Sequence, residues 1–355
     1  MSACLNASPA AASRLVLLGT GTVGSAFVAR YQALRQRQLA LPCLEVVANS
    51  RIALACADAP HHALSQARDA QRQANGDVQL QQVGHLQAGD IVIDATASEQ
   101  VAAEHAHWLA QGVHVVTANK LGNGTTLARA QQIGALVTEG HARYGDAATV
   151  GAGLPLLASL RALVAGGDHI HAIEGVLSGS LAWLFHRFDG SQPFSACVRE
   201  AAAAGYTEPD PRIDLSGEDV RRKLLILARA AGVALEPAQV RVESLVPPAL
   251  AALPAAHVDA ELEQLDAPLA ERLQQAREQG RVLCFVGRLD AHGARVGLRA
   301  LPVDHPLVGG RGTDNRVAIH SDRYCHQPLL IQGPGAGAEV TAAALLDDVL
   351  RIAAG

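Results

Sequence analysis

One stretch of the chain concentrates groups that can bind and move protons. Residues 205–219 carry five carboxylates, two prolines and two glycines, and an apolar helical pattern follows at 220–231. The prolines fix φ and delay the start of the helix. Ser216 suits the N-cap of that helix, and Asp219 stands where a capping-box acid would stand. The pattern predicts a rigid acidic loop that leads into a helix.

The first turn of that helix holds a candidate acid/base pair. Asp219 and Lys223 are four residues apart, so they share one helix face. An ammonium group can stabilise charge on a carbonyl oxygen and donate a proton to it. Lys223 is therefore predicted to be the acid/base group, with Asp219 orienting it. The alternative is an ordinary surface ion pair, which is the commoner case for such a pair taken alone.

The start of the chain predicts a phosphate-binding turn. A short apolar strand at 14–18 leads into a glycine-rich turn and then a helix. Glycines in this register permit a tight turn, close approach of a pyrophosphate and close helix–strand packing. Glycines that serve packing alone are the alternative. The predicted dinucleotide-binding residues are Gly19, Thr20, Gly21, Thr22, Val23 and Gly24.

The end of the second strand bears on which dinucleotide is used. A cofactor with a free 2′-hydroxyl favours an acidic residue there. This chain has Asn49, Ser50 and Arg51 instead, which suit a 2′-phosphate. NADP is therefore favoured over NAD. Use of both cofactors, and Arg51 as a plain surface residue, are the alternatives.

Strands and helices continue to alternate through the first half, which predicts a doubly wound parallel sheet. Ligands bind beyond the carboxyl ends of such strands. Ala95 and Thr96 end one strand, and Lys120 follows the next. We expect all three at the cofactor, with Lys120 as a second cation at the carbonyl or carboxylate end of the substrate. A solvated loop lysine is the alternative.

Composition narrows the class of protein. The 355 residues suggest two domains, and the net charge of −5 without a basic stripe argues against nucleic acid as a partner. No apolar run is long enough to span a bilayer, and the first thirteen residues do not resemble a signal peptide. The six cysteines are scattered, which favours reduced thiols and a cytoplasmic location.

The second half predicts a different architecture. Four strand candidates after residue 280 include a hairpin at 290–293, so an antiparallel or mixed sheet with helices on one side is expected. The predicted fold class is α/β, a doubly wound Rossmann-like domain plus an α+β substrate and dimerisation domain. The predicted domains are residues 1–147 for the dinucleotide, 148–325 for substrate and dimerisation, and a returning C-terminal segment, 326–355.

Four motifs together resemble the homoserine dehydrogenases, above all the dehydrogenase half of the form fused to aspartokinase. They are the acidic loop, Thr-Ala-Asn-Lys at 117–120, the glycine-bearing turn at 148–153 and Gly-x-Gly-Ala-Gly at 333–337. The resemblance implies reversible NADP-dependent reduction of L-aspartate 4-semialdehyde to L-homoserine, in threonine and methionine biosynthesis. It also implies a homodimer.

The resemblance assigns further roles. Lys223, Asp219 and Lys120 would act at the reacting group, and Glu208 would bind the substrate ammonium. Gly335 and Gly337 would lie beside the cofactor. The other residues implied at the substrate are Asp214, Gly205, Tyr206 and Ser180.

The resemblance also implies a monovalent cation held by backbone carbonyls, here those of Val150 and Ala152. The glutamate that completes the site in the family falls on Ala147, and Asp146 is the nearest acid.

Three other functions stay open. One is a different NAD(P)-dependent oxidoreductase of a small amino-acid aldehyde or alcohol. A second is a thioester-forming aldehyde dehydrogenase, which needs an activated cysteine; Cys197 and Cys284 fall inside a predicted helix and strand, which argues against it. The third is an inactive nucleotide-binding sensor, which would not need the lysines and acids described above.

Overall fold

The computed structural model describes residues 13–56, 59–70 and 84–355, which divide into two compact units. Unit 1 holds the described residues up to Gly122 with Gln131–Ala148 and Ala338–Gly355; unit 2 holds Asn123–Ala130 and Thr149–Gly337. Residues 326–337, which the sequence assigns to the C-terminal segment, thus fall in unit 2, because a strand within them pairs with the sheet of that unit. The residues before 13, where a signal peptide was sought, lie outside the described part.

Unit 1 is built on a six-stranded sheet with the order β3-β2-β1-β4-β5-β6. All neighbouring pairs are parallel except β2 with β3. Its elements are β1 (Arg14–Leu18), α1 (Thr22–Gln36), β2 (Cys43–Ala48), β3 (Ala53–Ala55), α2 (Pro60–Asp69), β4 (Ile91–Asp94), α3 (Glu99–Ala110), β5 (His114–Thr117), α4 (Leu127–Glu139, whose first residues belong to unit 2), β6 (Tyr144–Gly145) and α12 (Ala338–Ala353).

Helices cover both faces of this sheet, as a doubly wound fold requires. On one face Phe27 of α1 and Leu345 of α12 pack with Leu15 and other strand residues. On the other face Trp108 of α3 and Ile133 of α4 pack against the sheet. The prediction of a doubly wound domain is confirmed, and the structure has α12 in the same apolar cluster as β1 and α1.

Unit 2 contains a second six-stranded sheet, ordered β12-β11-β7-β9-β10-β8. Its pairs are antiparallel except β8 with β10, and the predicted hairpin joins β9 to β10. Its elements are α5 (Leu156–Ala165), β7 (Ile170–Val176), α6 (Gly179–Arg187), α7 (Phe194–Ala203), α8 (Arg212–Leu215), α9 (Glu218–Ala230), β8 (Val240–Val242), α10 (Pro248–Ala251), α11 (Asp266–Glu278), β9 (Arg281–Asp290), β10 (Gly293–Pro302), β11 (Asp314–Ser321) and β12 (Leu329–Pro334).

The main core of unit 2 lies between one face of its sheet and the helices. Leu224 of α9, Phe194 of α7 and Leu160 of α5 are completely buried there. A smaller apolar cluster, which includes Val286 and Ala318, lies on the opposite face. This arrangement confirms the α+β character of the second domain. No helix in the described part of the chain is both long and apolar enough to cross a membrane.

Candidate active site

The glycine-rich turn of unit 1 has the shape that a dinucleotide needs. Gly19 has φ +104°, and a Cβ there would lie 2.7 Å from the Ala95 carbonyl oxygen. A Cβ on Gly24 would lie 1.9 Å from the Gly19 carbonyl oxygen. A Cβ on Gly21 would meet nothing within 4 Å, so the chain itself does not require glycine there. The open space over Gly21 is what a pyrophosphate would occupy.

The start of α1 adds hydrogen-bond donors to this turn. Gly21 is the N-cap and offers no side chain to the first N–H groups of the helix. Such groups, with the positive end of the helix dipole, bind phosphate. Thr20, Thr22 and Val23 complete the turn. The residues present therefore fit a dinucleotide.

The side chains of Asn49 and Arg51 hold the loop that follows β2. Asn49 donates to Thr20 Oγ1 at 3.0 Å and to the Ala67 carbonyl at 2.6 Å. Arg51 Nη1 donates to the Arg68 and Ala70 carbonyls at the end of α2. Asn49 thus fixes the loop beside the glycine turn. Arg51 thus ties this loop to the end of α2 through one nitrogen of its guanidinium.

Two further segments reach the carboxyl edge of this sheet. The Ala95 amide donates to the Leu18 carbonyl at 2.8 Å, which places Ala95 and Thr96 beside the glycine turn. Asn119 is buried and Lys120 partly buried just beyond β5. The structure thus places the predicted residues of unit 1 along one edge.

In unit 2, Lys223 occupies a nearly buried position on α9. Its Nζ lies 2.8 Å from Asp219 Oδ2 and donates to the Leu177 carbonyl oxygen at 2.7 Å. The Lys223 side chain is 9% exposed and that of Asp219 is 38% exposed. An ammonium that is nearly removed from water and held by two oxygens has a fixed direction, unlike a surface ion pair. This geometry favours the acid/base interpretation of the pair.

A second constellation surrounds Asp214. Its Oδ1 accepts from Ser180 Oγ at 2.7 Å and its Oδ2 accepts from the Glu208 amide at 2.8 Å. Burial raises the pKa of the Asp214 carboxyl above its ordinary value, although the hydrogen bonds from Ser180 and Glu208 favour its charged form. The Glu208 side chain is exposed. The structure thus brings together three of the residues predicted to bind substrate.

The remaining loop residues have separate duties. Gly205 has φ +72° and ends α7, and the ring of Tyr206 lies 5.4 Å from that of Trp183. Asp210 pairs with Arg212 at 2.6 Å, and Arg212 also binds three carbonyls at the end of α10. This ion pair therefore holds the acidic loop against its neighbour.

The predicted N-cap at Ser216 is wrong. The N-cap of α9 is Gly217, with φ +79°, and it makes no side-chain cap. Ser216 instead donates to the Ile213 carbonyl at 2.8 Å and accepts from the Glu218 amide at 3.2 Å. A side chain at Gly217 would clash with Phe285, so a left-handed glycine makes the turn. In α6 the N-cap is Ser178, and the Ser180 hydroxyl donates to Asp214.

The predicted cation turn has an unusual backbone. Gly151 and Ala152 both have positive φ, +73° and +49°. Left-handed alanine is strained and tends to mark functional turns. Val150 and Ala152 belong to unit 2, whereas Asp146 is buried in unit 1. Among the described residues no cluster of three metal-binding side chains occurs, so the turn offers backbone carbonyls as its donors.

Asn315, which no sequence motif marks, is completely buried beside Gly335. A Cβ on Gly335 would lie 1.9 Å from the Asn315 side chain, so only glycine fits there. Within the described part of the chain, neither side-chain polar atom of Asn315 has a hydrogen-bond partner. Gly337 has φ +125°. Gly335 thus permits close packing in unit 2, and Gly337 permits a positive φ.

A signal in the composition supports the two lysines and was overlooked. The chain contains 29 basic residues of the Lys and Arg types, and only Lys120 and Lys223 are lysines. All the other residues of these two types are arginines, and the two are not interchangeable where a compact ammonium or a proton donor is needed. The use of lysine at just these two positions of an arginine-rich chain favours a chemical role for both.

Comparisons with known proteins agree with this geometry. A family model for homoserine dehydrogenase matches residues 155–350, and a model for the homoserine dehydrogenase NAD binding domain matches 19–144. A crystal structure of a protein of unknown function from Candida auris has a TM-score of 0.84 and 33% identity, and the match covers 96% of this chain and 98% of that one.

Two relatives have homoserine dehydrogenase in their names. The homoserine dehydrogenase of Emericella nidulans is 39% identical over 275 residues, which are 74% of this chain and 75% of that protein. Bifunctional aspartokinase/homoserine dehydrogenase 2 of Escherichia coli (strain K12) is 47% identical over 264 residues, 74% of this chain. The match spans about a third, 33%, of that longer protein. The chain belongs to the homoserine dehydrogenase family.

Proposed function

We propose that this protein catalyses the reversible NADP-dependent reduction of L-aspartate 4-semialdehyde to L-homoserine, as a step toward threonine and methionine. The observation that carries the proposal is the position of Lys223 Nζ, on a nearly buried side chain and held between Asp219 Oδ2 and the Leu177 carbonyl. Family membership narrows the substrate to the homoserine and semialdehyde pair.

The chemistry divides between cofactor and protein. When bound, the nicotinamide supplies the hydride that reaches the aldehyde carbon. Lys223 donates a proton to the carbonyl oxygen as negative charge develops on it. Asp219 keeps the ammonium oriented and compensates its charge. In the reverse direction Lys223 takes the proton of the homoserine hydroxyl.

The substrate ammonium needs an anionic partner. Glu208 has an exposed carboxylate, and Asp214 presents a carboxylate fixed by Ser180. We assign the ammonium to these two acids, with Gly205 and Tyr206 forming the adjoining wall. A substrate without the ammonium would leave both acids without their partner, which argues against a simple aldehyde as substrate.

For the cofactor we propose NADP, with NAD as the weaker alternative. Two features support NADP: the residues that follow β2, Asn49 and Ser50, are not acidic, and Arg51 next to them carries a guanidinium. Lys120, Thr96, Gly335 and Gly337 are proposed to complete the cofactor site. We further propose that the turn at Val150 and Ala152 holds a monovalent cation weakly, because carbonyls are its donors.

We also propose that the protein is a cytoplasmic homodimer. The outer face of the unit 2 sheet carries Glu174, Arg288, Asp290 and Arg295 in ion pairs of 2.6–2.9 Å. Charges of both signs on one face suit a two-fold contact, which uses the same surface twice. Light scattering should give the mass of two chains, and Arg288→Glu should give the mass of one. Scattered thiols support the cytoplasmic location.

The assay that tests the function is NADPH oxidation with purified protein and L-aspartate 4-semialdehyde, with the product identified as homoserine. Consumption no faster than without protein would refute the proposal. Activity with other aldehydes but not this one would point to a different oxidoreductase, and NADPH binding without turnover to a sensor. A thioester mechanism is disfavoured because burial raises the pKa of Cys284 to about 11 and also raises that of Cys197.

A further inference from the structure

A closed hydrogen-bond network joins the ends of β4 and β5. Asp94, the last residue of β4, is completely buried. Its Oδ1 accepts from the Thr96 amide at 2.9 Å and the Thr96 hydroxyl at 2.6 Å. Its Oδ2 accepts from Asn119 Nδ2 at 3.0 Å and lies 3.0 Å from His105 Nε2. Four contacts use the acceptor capacity of this carboxylate.

A second layer supports the carboxylate. His105 is also completely buried, and its Nδ1 lies 3.0 Å from the Tyr144 hydroxyl. When Nε2 carries a proton toward Asp94, the other nitrogen of the neutral ring accepts from Tyr144. A Cβ on Gly122 would lie 2.3 Å from that hydroxyl, so the chain just after Lys120 packs onto it.

The network extends from Asp94 in two directions, toward the Lys120 segment and toward the glycine turn. On one side Asn119 also donates to the Ser98 carbonyl at 2.9 Å, and its Oδ1 accepts from the Leu121 amide at 3.0 Å. Lys120 therefore stands between two residues that the network holds. On the other side a Cβ on Gly19 would lie 3.1 Å from Thr96 Cγ2, so the Thr96 loop packs on the glycine turn.

We propose that Asp94 is a positioning residue, which fixes the Lys120 segment and the Thr96 loop relative to the glycine turn, with His105 and Tyr144 holding its carboxylate. The inference rests on the proposed function for the task of Lys120. A buried carboxylate is costly, and well-packed apolar side chains often give equal stability. The network also lies at the carboxyl edge of the sheet, where ligands of such folds bind.

The same strand offers a matched control. Asp90 directly precedes β4, is also buried, and accepts from Arg14 Nε at 3.0 Å and from the Gln87 amide at 2.8 Å. Asp90→Asn and Asp94→Asn are thus the same change at opposite ends of one strand. In Asp94→Asn, the new amide keeps its hydrogen bonds with Thr96 when its oxygen takes the place of Oδ1. Its NH₂ group then takes the place of Oδ2 and faces the NH₂ group of Asn119. These two donors repel, so Asn119 and the adjoining Lys120 must move.

The two lysines make this displacement measurable without turnover. Protein labelled with ¹³Cε-lysine has two lysine side-chain signals, from Lys120 and Lys223, and Lys120→Arg identifies the first. Asp94→Asn is expected to shift the Lys120 signal and leave that of Lys223 in place, whereas Asp90→Asn should move neither. An unmoved Lys120 signal in Asp94→Asn, or equal shifts of both signals, would overturn the proposal.

Turnover gives the second readout. Asp94→Asn should lower kcat about hundredfold, because a displacement of roughly 1 Å at a catalytic group costs about that much. Asp90→Asn should lower Tm and leave kcat unchanged; equal kcat losses in both variants would also overturn the proposal. Wild-type protein without activity on the semialdehyde would refute the proposed function alone, because the lysine signals are read on protein that is not turning over.

Two milder variants, Tyr144→Phe and Tyr31→Phe, keep the proposal testable if Asp94→Asn does not fold. Tyr144→Phe removes the hydroxyl that supports His105. Tyr31→Phe removes a hydroxyl that bonds the Pro42 carbonyl at 2.9 Å and the Leu44 amide at 3.0 Å, at the start of β2. Tyr144→Phe should shift the Lys120 signal in the direction seen for Asp94→Asn, and Tyr31→Phe should not. Equal behaviour of the two tyrosine variants would count against the positioning role.

Discussion

Lys223 lies one helical turn beyond Asp219, and its Nζ reaches back to within 2.8 Å of the Asp219 carboxylate. The same nitrogen donates to a backbone carbonyl beyond the end of β7. Because both contacts direct the ammonium and little water reaches it, the pair has the properties of an oriented proton donor.

Replacing Lys223 by Ala should lower kcat by about 10²–10⁴, the usual contribution of a positioned acid or base, and leave NADPH affinity unchanged. Arginine should not restore activity, since a guanidinium cannot be deprotonated in proteins. Steady-state kinetics and a fluorescence titration with NADPH measure the two quantities. Arg222→Ala, the same truncation at the neighbouring position, is the control. Loss of NADPH affinity in Lys223→Ala would remove it from proton transfer.

Ser180→Ala should move the acidic limb of the kcat/KM profile to higher pH. Burial raises the pKa of Asp214 and the Ser180 hydrogen bond lowers it, so loss of the hydroxyl raises the pKa further. A protonated Asp214 no longer binds the substrate ammonium, so activity is lost sooner on acidification. Ser321→Ala is a matched control, because the buried Ser321 also donates to a carboxylate. Its partner at 2.8 Å is Asp168, which precedes β7, whereas Ser180 follows that strand. Superimposable profiles for wild type and Ser180→Ala would contradict the prediction.

Arg51→Ala should weaken NADPH binding by about tenfold to hundredfold relative to NADH, the effect of one charge-assisted hydrogen bond. Arg51 also binds carbonyls at the end of α2, so both cofactors will lose some affinity through the loop. The ratio of the two dissociation constants cancels that shared loss. An unchanged ratio would show that Arg51 serves the loop alone.

Two glycines of the same turn should separate binding from folding. Gly21→Ala fills space that is open in the protein, so Tm should hold while NADPH affinity falls. Gly24→Ala places a methyl 1.9 Å from a backbone oxygen, so Tm should fall. Gly134→Ala, on an exposed helix position with open space, should stabilise by about 0.4–1 kcal/mol. Melting curves and NADPH titrations on all three variants give the comparison, and a strongly destabilised Gly21→Ala would refute it.

The ion pair at Asp90 predicts a pH-dependent contribution to stability. Burial raises the pKa of Asp90, but hydrogen bonds from Arg14 and the Gln87 amide outweigh it and the net pKa is lowered. An acid with a lowered folded-state pKa contributes fully above its unfolded pKa and loses that contribution as pH falls through the folded value. The Tm gap between wild type and Asp90→Asn should therefore close toward acidic pH. A Tm gap that stays constant with pH would contradict the proposed contribution of Asp90 to stability.

Local patterns were enough to predict much of the site. The i,i+4 spacing of Asp219 and Lys223 and the glycines at 19, 21 and 24 encode their geometry within a few residues. The strand at Arg14–Leu18 and the β9–β10 hairpin were likewise predictable, since short apolar runs and a turn define them. Features of this kind depend on neighbours along the chain, which a sequence displays directly.

Features that depend on distant partners were not predictable. Gly217 replaces Ser216 as the cap because Phe285, far away in sequence, lies against it. The contact of Asp94 with His105 and Tyr144 spans 11 and then 39 residues. Helix α11 was missed because it buries just Leu269 and Ala276 and so shows little apolar periodicity. Strands β3 and β8 have three residues each, too few for an alternating pattern.

The C-terminal helix α12 supplies Leu345, Leu346 and Val349 to the same core as β1 and α1. During synthesis, the interior of unit 1 can therefore be filled only after α12 has been made, long after β1 and α1. The intervening unit has all its strands by residue 334 and can fold earlier. A ribosome-bound chain should thus resist protease in unit 2 before it does so in unit 1.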